Sequence, residues 1–126
     1  MPTVAFSGTR DLPTSRGTVA WRFIEQELDA LSPDTLVIHG DNGNVDWTVD
    51  ALARARGLTV QKYPADWKRY HRPGKKNPAG MIRNTEMAKA TPDRWVFVWN
   101  GKSPGTHGAK ELAKKHGIPV TEYVLP

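Results

Sequence analysis

Five consecutive apolar residues, Trp95-Val-Phe-Val-Trp99, run straight into Asn100-Gly-Lys-Ser-Pro-Gly-Thr-His-Gly108 and then into a helical pattern that ends near His116. A strand that is apolar at every position has no face to give to water, so it belongs in the middle of a sheet covered by helices on both sides. The stretch therefore predicts strand, glycine-rich turn and helix start. Such a turn is expected to leave backbone N–H groups free at the positive end of the helix dipole, where phosphate binds without a cationic side chain. Gly101, Ser103, Gly105, Thr106 and His107 are the first candidates for ligand contact. The competing reading is that glycine merely makes the turn geometrically possible. A Walker A motif does not fit: Gly101-Lys-Ser103 matches its end, but the glycine needed five residues before Gly101 is Val96, inside the strand.

The same alternation recurs upstream. Thr3-Val-Ala-Phe6 predicts a first strand closed by the turn Ser7-Gly-Thr-Arg10, and a helix is expected from Thr14 or Ser15. Ala20, Ile24, Leu28 and Leu31 share one face of that helix, and Ser32-Pro-Asp34 stops it. Leu36-Val-Ile38 predicts a second strand, followed by the turn His39 to Asp46. The next helix is expected to be capped by Asn44, to bury Trp47, Ala51 and Ala55, and to end at Gly57. Leu58 to Tyr63 reads as a third strand, Pro64 to Ala79 as an irregular loop, and Gly80 to Ala90 as a helix with Ile82, Met87 and Ala90 for packing. After the fourth strand and its turn, Ala109, Leu112 and Ala113 supply an inner helix face, and Val120 to Val124 reads as the last strand.

This order predicts an α/β fold: a Rossmann-like, doubly wound parallel sheet of about five strands with helices on both faces. A chain of 126 residues is expected to form one domain over residues 1–126. With strand order 3-2-1-4-5, the first and fourth strands are neighbours where the order reverses. Ligands bind there in such sheets. Gly8-Thr9-Arg10 would then face Gly101 to Gly108.

Charge sharpens the choice of ligand. Five cations, Lys68, Arg69, Arg72, Lys75 and Lys76, stand against Asp66 alone between residues 64 and 79, so this loop carries most of the formal charge of +5. A local basic loop suits an anionic ligand, whether nucleotide or nucleic acid. A long loop without regular structure in a small domain is often functional. Trp67 and Tyr70 within it suit base stacking, although a solvated loop pinned by one buried Trp would look the same. The chain has no cysteine, hence no disulfide framework or thiolate metal site. No apolar run approaches the roughly 20 residues of a membrane span, and the first residues read as a strand rather than a secretory signal. No membrane partner is expected and the cytosol is the expected compartment; self-association stays open.

Taken together, the turns resemble the YspA-like branch of the SLOG superfamily, a Rossmannoid group that also includes the LOG phosphoribohydrolases and the Smf DNA-processing proteins. The matching pieces are Gly8-Thr-Arg-Asp11, His39-Gly40 through Asp46, Tyr63-Pro-Ala-Asp-Trp67, Ala79-Gly-Met-Ile-Arg-Asn84 with Met87, Gly105-Thr106, and Gly117-Ile-Pro-Val120. The resemblance spans nearly the whole chain. It implies a pocket for a nucleotide or nucleotide-derived ligand. LOG-type enzymes cleave the N-glycosidic bond of a nucleoside monophosphate with an Arg, matched here by Arg83, and a Glu three residues after the Thr of a Gly-Thr motif. That Glu position is Ala109. Glu111 is no substitute, because two residues along a helix is about 200° around it. The second turn also departs from the family in carrying Asp41-Asn42 and Asn44-Val45, and Asp41 would repel a phosphate held there.

The remaining candidates follow from side-chain chemistry. Arg10 and Arg83 present planar donor forks that clamp phosphate or carboxylate in two-point contact, and Asn84 adds neutral donors and acceptors beside Arg83. Gly8, Thr9 and Gly40 complete the turns. Asp46 either binds a ribose hydroxyl or acts as a base, against the plainer reading of an acid favoured near a helix N-terminus; Asp11 has similar standing. His39, His71, His107 and His116 lack metal-ligand spacing, so neither a metal nor a cofactor is expected. Three functions follow in order of preference. The first is binding of a nucleotide-like small molecule. The second is a glycosidic-bond hydrolase with Arg83 and Asp46 as catalytic residues, or Glu86 in place of the missing acid. The third is nucleic-acid binding through the basic loop.

Overall fold

A computed structural model describes residues 1–126. Its elements follow in the order β1 (Thr3–Gly8), α1 (Val19–Asp29), β2 (Leu36–His39), α2 (Asn44–Ala55), β3 (Thr59–Lys62), α3 (Ala79–Lys89), β4 (Arg94–Trp99), α4 (Pro104–Lys115) and β5 (Val120–Val124). The five strands form one sheet in the order β3-β2-β1-β4-β5, and every pairing is parallel. The expected architecture and strand order are thus the observed ones.

Strand alternation divides the core into two layers. Val4 and Phe6 of β1 and Val96 and Val98 of β4 face α1 and α2, where Ile24, Leu28, Val45 and Val49 meet them. Ala5 of β1 and Trp95, Phe97 and Trp99 of β4 face α3 and α4, against Met87, Ala88, Ala109 and Ala113. Successive side chains of β4 therefore go to opposite layers, which is why that strand is apolar throughout. Two polar ties lock the edges. Glu27 of α1 accepts from Arg94 of β4 at 2.9 Å and from the Tyr123 hydroxyl of β5 at 3.0 Å, while Glu122 of β5 accepts from Trp99 Nε1 at 2.7 Å and Lys110 Nζ at 3.0 Å.

Three local expectations are corrected. Helix α1 starts at Val19, not at Thr14 or Ser15, because Thr18 is the N-cap and its hydroxyl accepts the Trp21 N–H at 3.2 Å. Thr14 serves elsewhere: its hydroxyl donates to the Asn44 carbonyl and accepts from Thr48, tying the first turn to α2. Asn44 does not cap α2 with its side chain. Gly43 holds the cap position, and the Asn44 amide instead donates to the Leu12 carbonyl at 3.1 Å. The buried face of α2 is Val45, Asp46, Val49 and Ala53, whereas Trp47 is 55% exposed and Ala51 and Ala55 lie at the surface. Val45-Val49-Ala53 and Trp47-Ala51-Ala55 both repeat every four residues, so spacing cannot separate them. The branched valines pack against the sheet, and Trp47 satisfies its Nε1 at the surface by donating to Asp41 Oδ1 at 3.2 Å.

Candidate functional site

Beyond the C-terminal ends of β1, β2 and β4 the chain encloses a cavity of about 450 Å³. That lies in the range of small-ligand pockets. Its floor follows from strand register: Gly8 pairs with Val98 of β4, the Thr9 N–H donates to the Val98 carbonyl at 3.3 Å, and the Thr9 hydroxyl accepts the Asn100 N–H at 3.1 Å. The first and fourth turns are thereby fastened side by side at the switch in strand order.

Gly8 is required here by close approach. A Cβ at this position would collide with the Val98 carbonyl and with the side chain of Val45. Because one obstacle is the backbone of a central strand, neither side can yield cheaply. Gly8→Ala is expected to cost about 1–3 kcal/mol of stability, read as a lowered denaturant midpoint with an unchanged slope.

Arg83 comes from the second turn of α3 and reaches across to the end of β2. Its Nη1 donates to the Gly40 carbonyl and its Nε donates to Asn84 Oδ1 at 2.8 Å. A Cβ at Gly40 would displace this guanidinium, the far end of a flexible side chain. Asn84 is buried and turns its amide toward the Gly105 carbonyl. Arg83 has no carboxylate within ion-pair distance, although seven other ion pairs form in the chain. Burial lowers its pKa against the opposing pull of Asp46 and Asp41. A guanidinium remains charged even so.

Asp46, in the first turn of α2, is the single acid on the cavity wall and is only 6% exposed. Its Oδ2 accepts the Asn42 N–H at 3.0 Å, and its Oδ1 is buried without a hydrogen-bond partner. Burial raises its pKa, outweighing the Asn42 N–H and the nearby His39 and Arg83. The second turn is shaped by His39, whose Nδ1 accepts the Asp41 N–H at 2.9 Å while its Nε2 donates to Asp50 at 2.7 Å. Burial works against the Asp50 charge, but the bonds from Arg54 and His39 together hold its pKa below the usual carboxylate value.

The sign of the Asp46 effect on stability follows from linkage. A carboxyl with a raised folded-state pKa contributes stability that is fully present below its unfolded value of about 3.9 and is lost as pH rises through the folded pKa. The melting temperature of Asp46→Asn should therefore gain on that of the unsubstituted protein as pH increases toward 8.

The structure brings Gly8, Arg10, Gly40, Asp46, Arg83, Asn84, Ser103, Gly105 and Thr106 to one wall. It does not bring Thr9, Gly101 or His107 there: Thr9 is the buried tie described above, Gly101 sits at φ 78 against Val124, and His107 is exposed. Asp11 and Glu86 are exposed and outside the cavity, so Glu86 cannot stand in for a missing acid there. Asp41 turns to Trp47 and does not line the cavity.

The fourth turn offers fewer donors than its glycines imply. Asn100 Oδ1 accepts the N–H groups of Lys102 and Ser103, Ser103 Oγ accepts that of Thr106 at 3.4 Å, and Pro104 has none. Among the residues opening α4, the Gly105 N–H remains without a protein acceptor. Any anion bound here consequently depends on Arg83 more than on the helix start. Ser7, Asn42, Asn77 and Met81, which no motif marks, also line the cavity, and the basic loop contributes Trp67, Arg72 and Lys76. Trp67 is 44% exposed and lies over Gly80 at the start of α3. Only the position of Ser7 directly before Gly8 at a strand end was a usable signal for that residue.

A doubly wound Rossmann-like domain with a cavity at its topological switch point is what this fold and site define. The chain belongs to the family of the gene 61 protein of Mycobacterium phage D29, to which it is 34% identical over 111 residues, covering 84% of this chain and 85% of that protein. No protein-family model matches the chain. Its fold is similar to that of the crystal structure of DNA processing protein A (DprA) from Streptococcus pneumoniae, with a TM-score of 0.72 at 14% identity over 96% of this chain. The chain spans 50% of that DprA chain. No helix is long and apolar enough to cross a membrane.

Proposed function

We propose that the protein, as one SLOG-like domain over residues 1–126 related to the YspA-like branch, binds a nucleotide or nucleotide-derived small molecule in this cavity. The observation that carries the reading is Arg83, a largely enclosed guanidinium that faces the cavity with no acidic partner. A ligand phosphate supplies that partner, with the Gly105 N–H as a second donor. Asp46 takes a sugar hydroxyl, and Trp67 stacks on the base. Binding ranks above cleavage because Ala109, which lines the cavity, stands where a LOG-type enzyme carries its Glu. Asp46 is then the one acid left for a catalytic role beside Arg83. Calorimetric titration with AMP, ADP, cyclic AMP and ADP-ribose tests the reading: saturable binding below millimolar supports it, and no heat at millimolar ligand overturns it. Release of free base from AMP would move the assignment to a hydrolase.

A second reading is favoured by Arg72 and Lys76, which bring the basic loop onto the cavity wall, and by the fold shared with a DNA processing protein. Here the ligand phosphate belongs to a nucleic-acid strand that continues along the loop. Affinity for a 5′-phosphorylated oligonucleotide should then fall steeply with salt, and removing Arg72 or Lys76 should reduce the logarithmic salt slope by about one each. A flat salt response excludes this mode.

A further inference from the structure

Two groups on the cavity wall lack the partner that burial demands. Arg83 is a cation without a carboxylate, and Asp46 is a carboxyl whose buried Oδ1 has no hydrogen-bond partner, although the Gly40 N–H lies near enough to favour its charged form. They do not satisfy each other, because the Gly40 carbonyl and Asn84 Oδ1 hold the guanidinium away from an ion-pair distance. An unpaired buried carboxylate is costly, so burial raises the affinity of Asp46 for a proton without fixing its state at a given pH. When a proton is taken it belongs on Oδ1, since Oδ2 then keeps accepting the Asn42 N–H.

An anion arriving on Arg83 changes the balance. It offsets the Arg83 charge, which favours the charged form of Asp46, and sets a like charge nearby. We propose that Asp46 takes up a proton when a phosphate-bearing ligand settles on Arg83, so that the cavity binds such a ligand and one proton together. The protonated Oδ1 then serves as a hydrogen-bond donor, and the site discriminates for anionic ligands at low pH. This rests on the nucleotide-binding reading above and adds to it a mode of regulation and specificity.

The charges that face Asp46 come from every neighbouring element. Arg83 approaches from α3, the titratable but, by its hydrogen bonds, uncharged His39 lies on the β2 side, and burial pushes the proton affinity of Asp46 up. Arg10 from the first turn and Arg72 and Lys76 from the loop share the cavity wall. Asp50, one turn further along α2, accepts from His39 and pairs with Arg54, and Asp41 is turned to Trp47. Helix α4 places no charged side chain on the wall.

Calorimetry with AMP as the probe, run from pH 6 to 9 in buffers of different ionisation enthalpy, measures protons bound per ligand. The expected result is uptake approaching one proton per AMP on the alkaline side, beyond that contributed by the AMP phosphate itself, with affinity falling up to tenfold per pH unit there. Asp46→Asn, an uncharged near-isostere, should show only the AMP contribution and an otherwise flat affinity profile. AMP binding with no excess uptake at any pH overturns this inference and leaves the nucleotide reading intact. Parallel pH profiles for both proteins do the same. Absence of AMP binding removes both. Should Asp46→Asn fail to fold, the uptake by the unsubstituted protein decides alone.

Discussion

Arg83→Ala is expected to weaken AMP binding by about a hundredfold. Two charge-assisted hydrogen bonds from one guanidinium to a phosphate are together worth about 3 kcal/mol, and 1.4 kcal/mol is a factor of ten in affinity. The turn architecture cannot make good the loss. The Gly105 N–H stands without a protein acceptor, but its neighbours are already occupied by Asn100, Ser103 and the proline ring. Arg83→Lys should recover only part of the loss, because a point charge cannot donate to the Gly40 carbonyl and to a phosphate in the planar geometry that Arg83 provides. Arg83→Ala also leaves the Gly40 carbonyl without its donor, at about 1–3 kcal/mol. Titrations are therefore to be compared at a temperature where both proteins are folded.

The largest effect on stability should come from Trp95→Ala. Trp95 is fully buried between the sheet and the α3–α4 layer, stacked with Phe97 at 5.4 Å between ring centroids. Removing an enclosed indole leaves a cavity and costs about 3–5 kcal/mol, a large part of the 5–15 kcal/mol typical of a domain. Chemical denaturation should show a much lower midpoint or a protein unfolded in buffer. The same residue connects core to site, because its Nε1 donates to Ser7 Oγ at 3.0 Å and Ser7 lies on the cavity wall. Trp95→Phe keeps most of the packing but leaves Ser7 without that donor. It should cost less stability and still alter the cavity floor, seen as a smaller loss in midpoint with a measurable change in AMP affinity.

Particular residues show where sequence and structure part. The apolar run at β4 could sit only in a covered sheet, and the single amphipathic stripe of α1 marked its inner face directly. In α2 two stripes of equal period competed, and the one that packs is Val45-Val49-Ala53 while Trp47 finds a surface partner in Asp41, a choice that no spacing encodes. The site was legible at the level of turns, because topology alone brings the ends of β1 and β4 together. Within the turns, spacing does not tell which residues reach the cavity: Thr9 turns inward to tie the first turn to the fourth, while Gly101 and His107 lie at the surface. The burial of Asp46 was hidden for a related reason. An acid in the first turn of a helix normally faces solvent, and here Val45 and Val49 rotate it inward.

The most direct measurement is a heteronuclear NMR titration with AMP that follows every backbone amide and the arginine side chains. The largest shifts are expected at the Gly105 amide and the Arg83 guanidinium, with Gly8, Gly40 and Asn42 following at the same ligand concentrations, and all of them lost in Arg83→Ala. Shifts confined to residues outside the cavity, such as Trp21 and Trp47 on the α1–α2 side, or an unchanged spectrum at millimolar AMP, would contradict a nucleotide site at the ends of β1, β2 and β4.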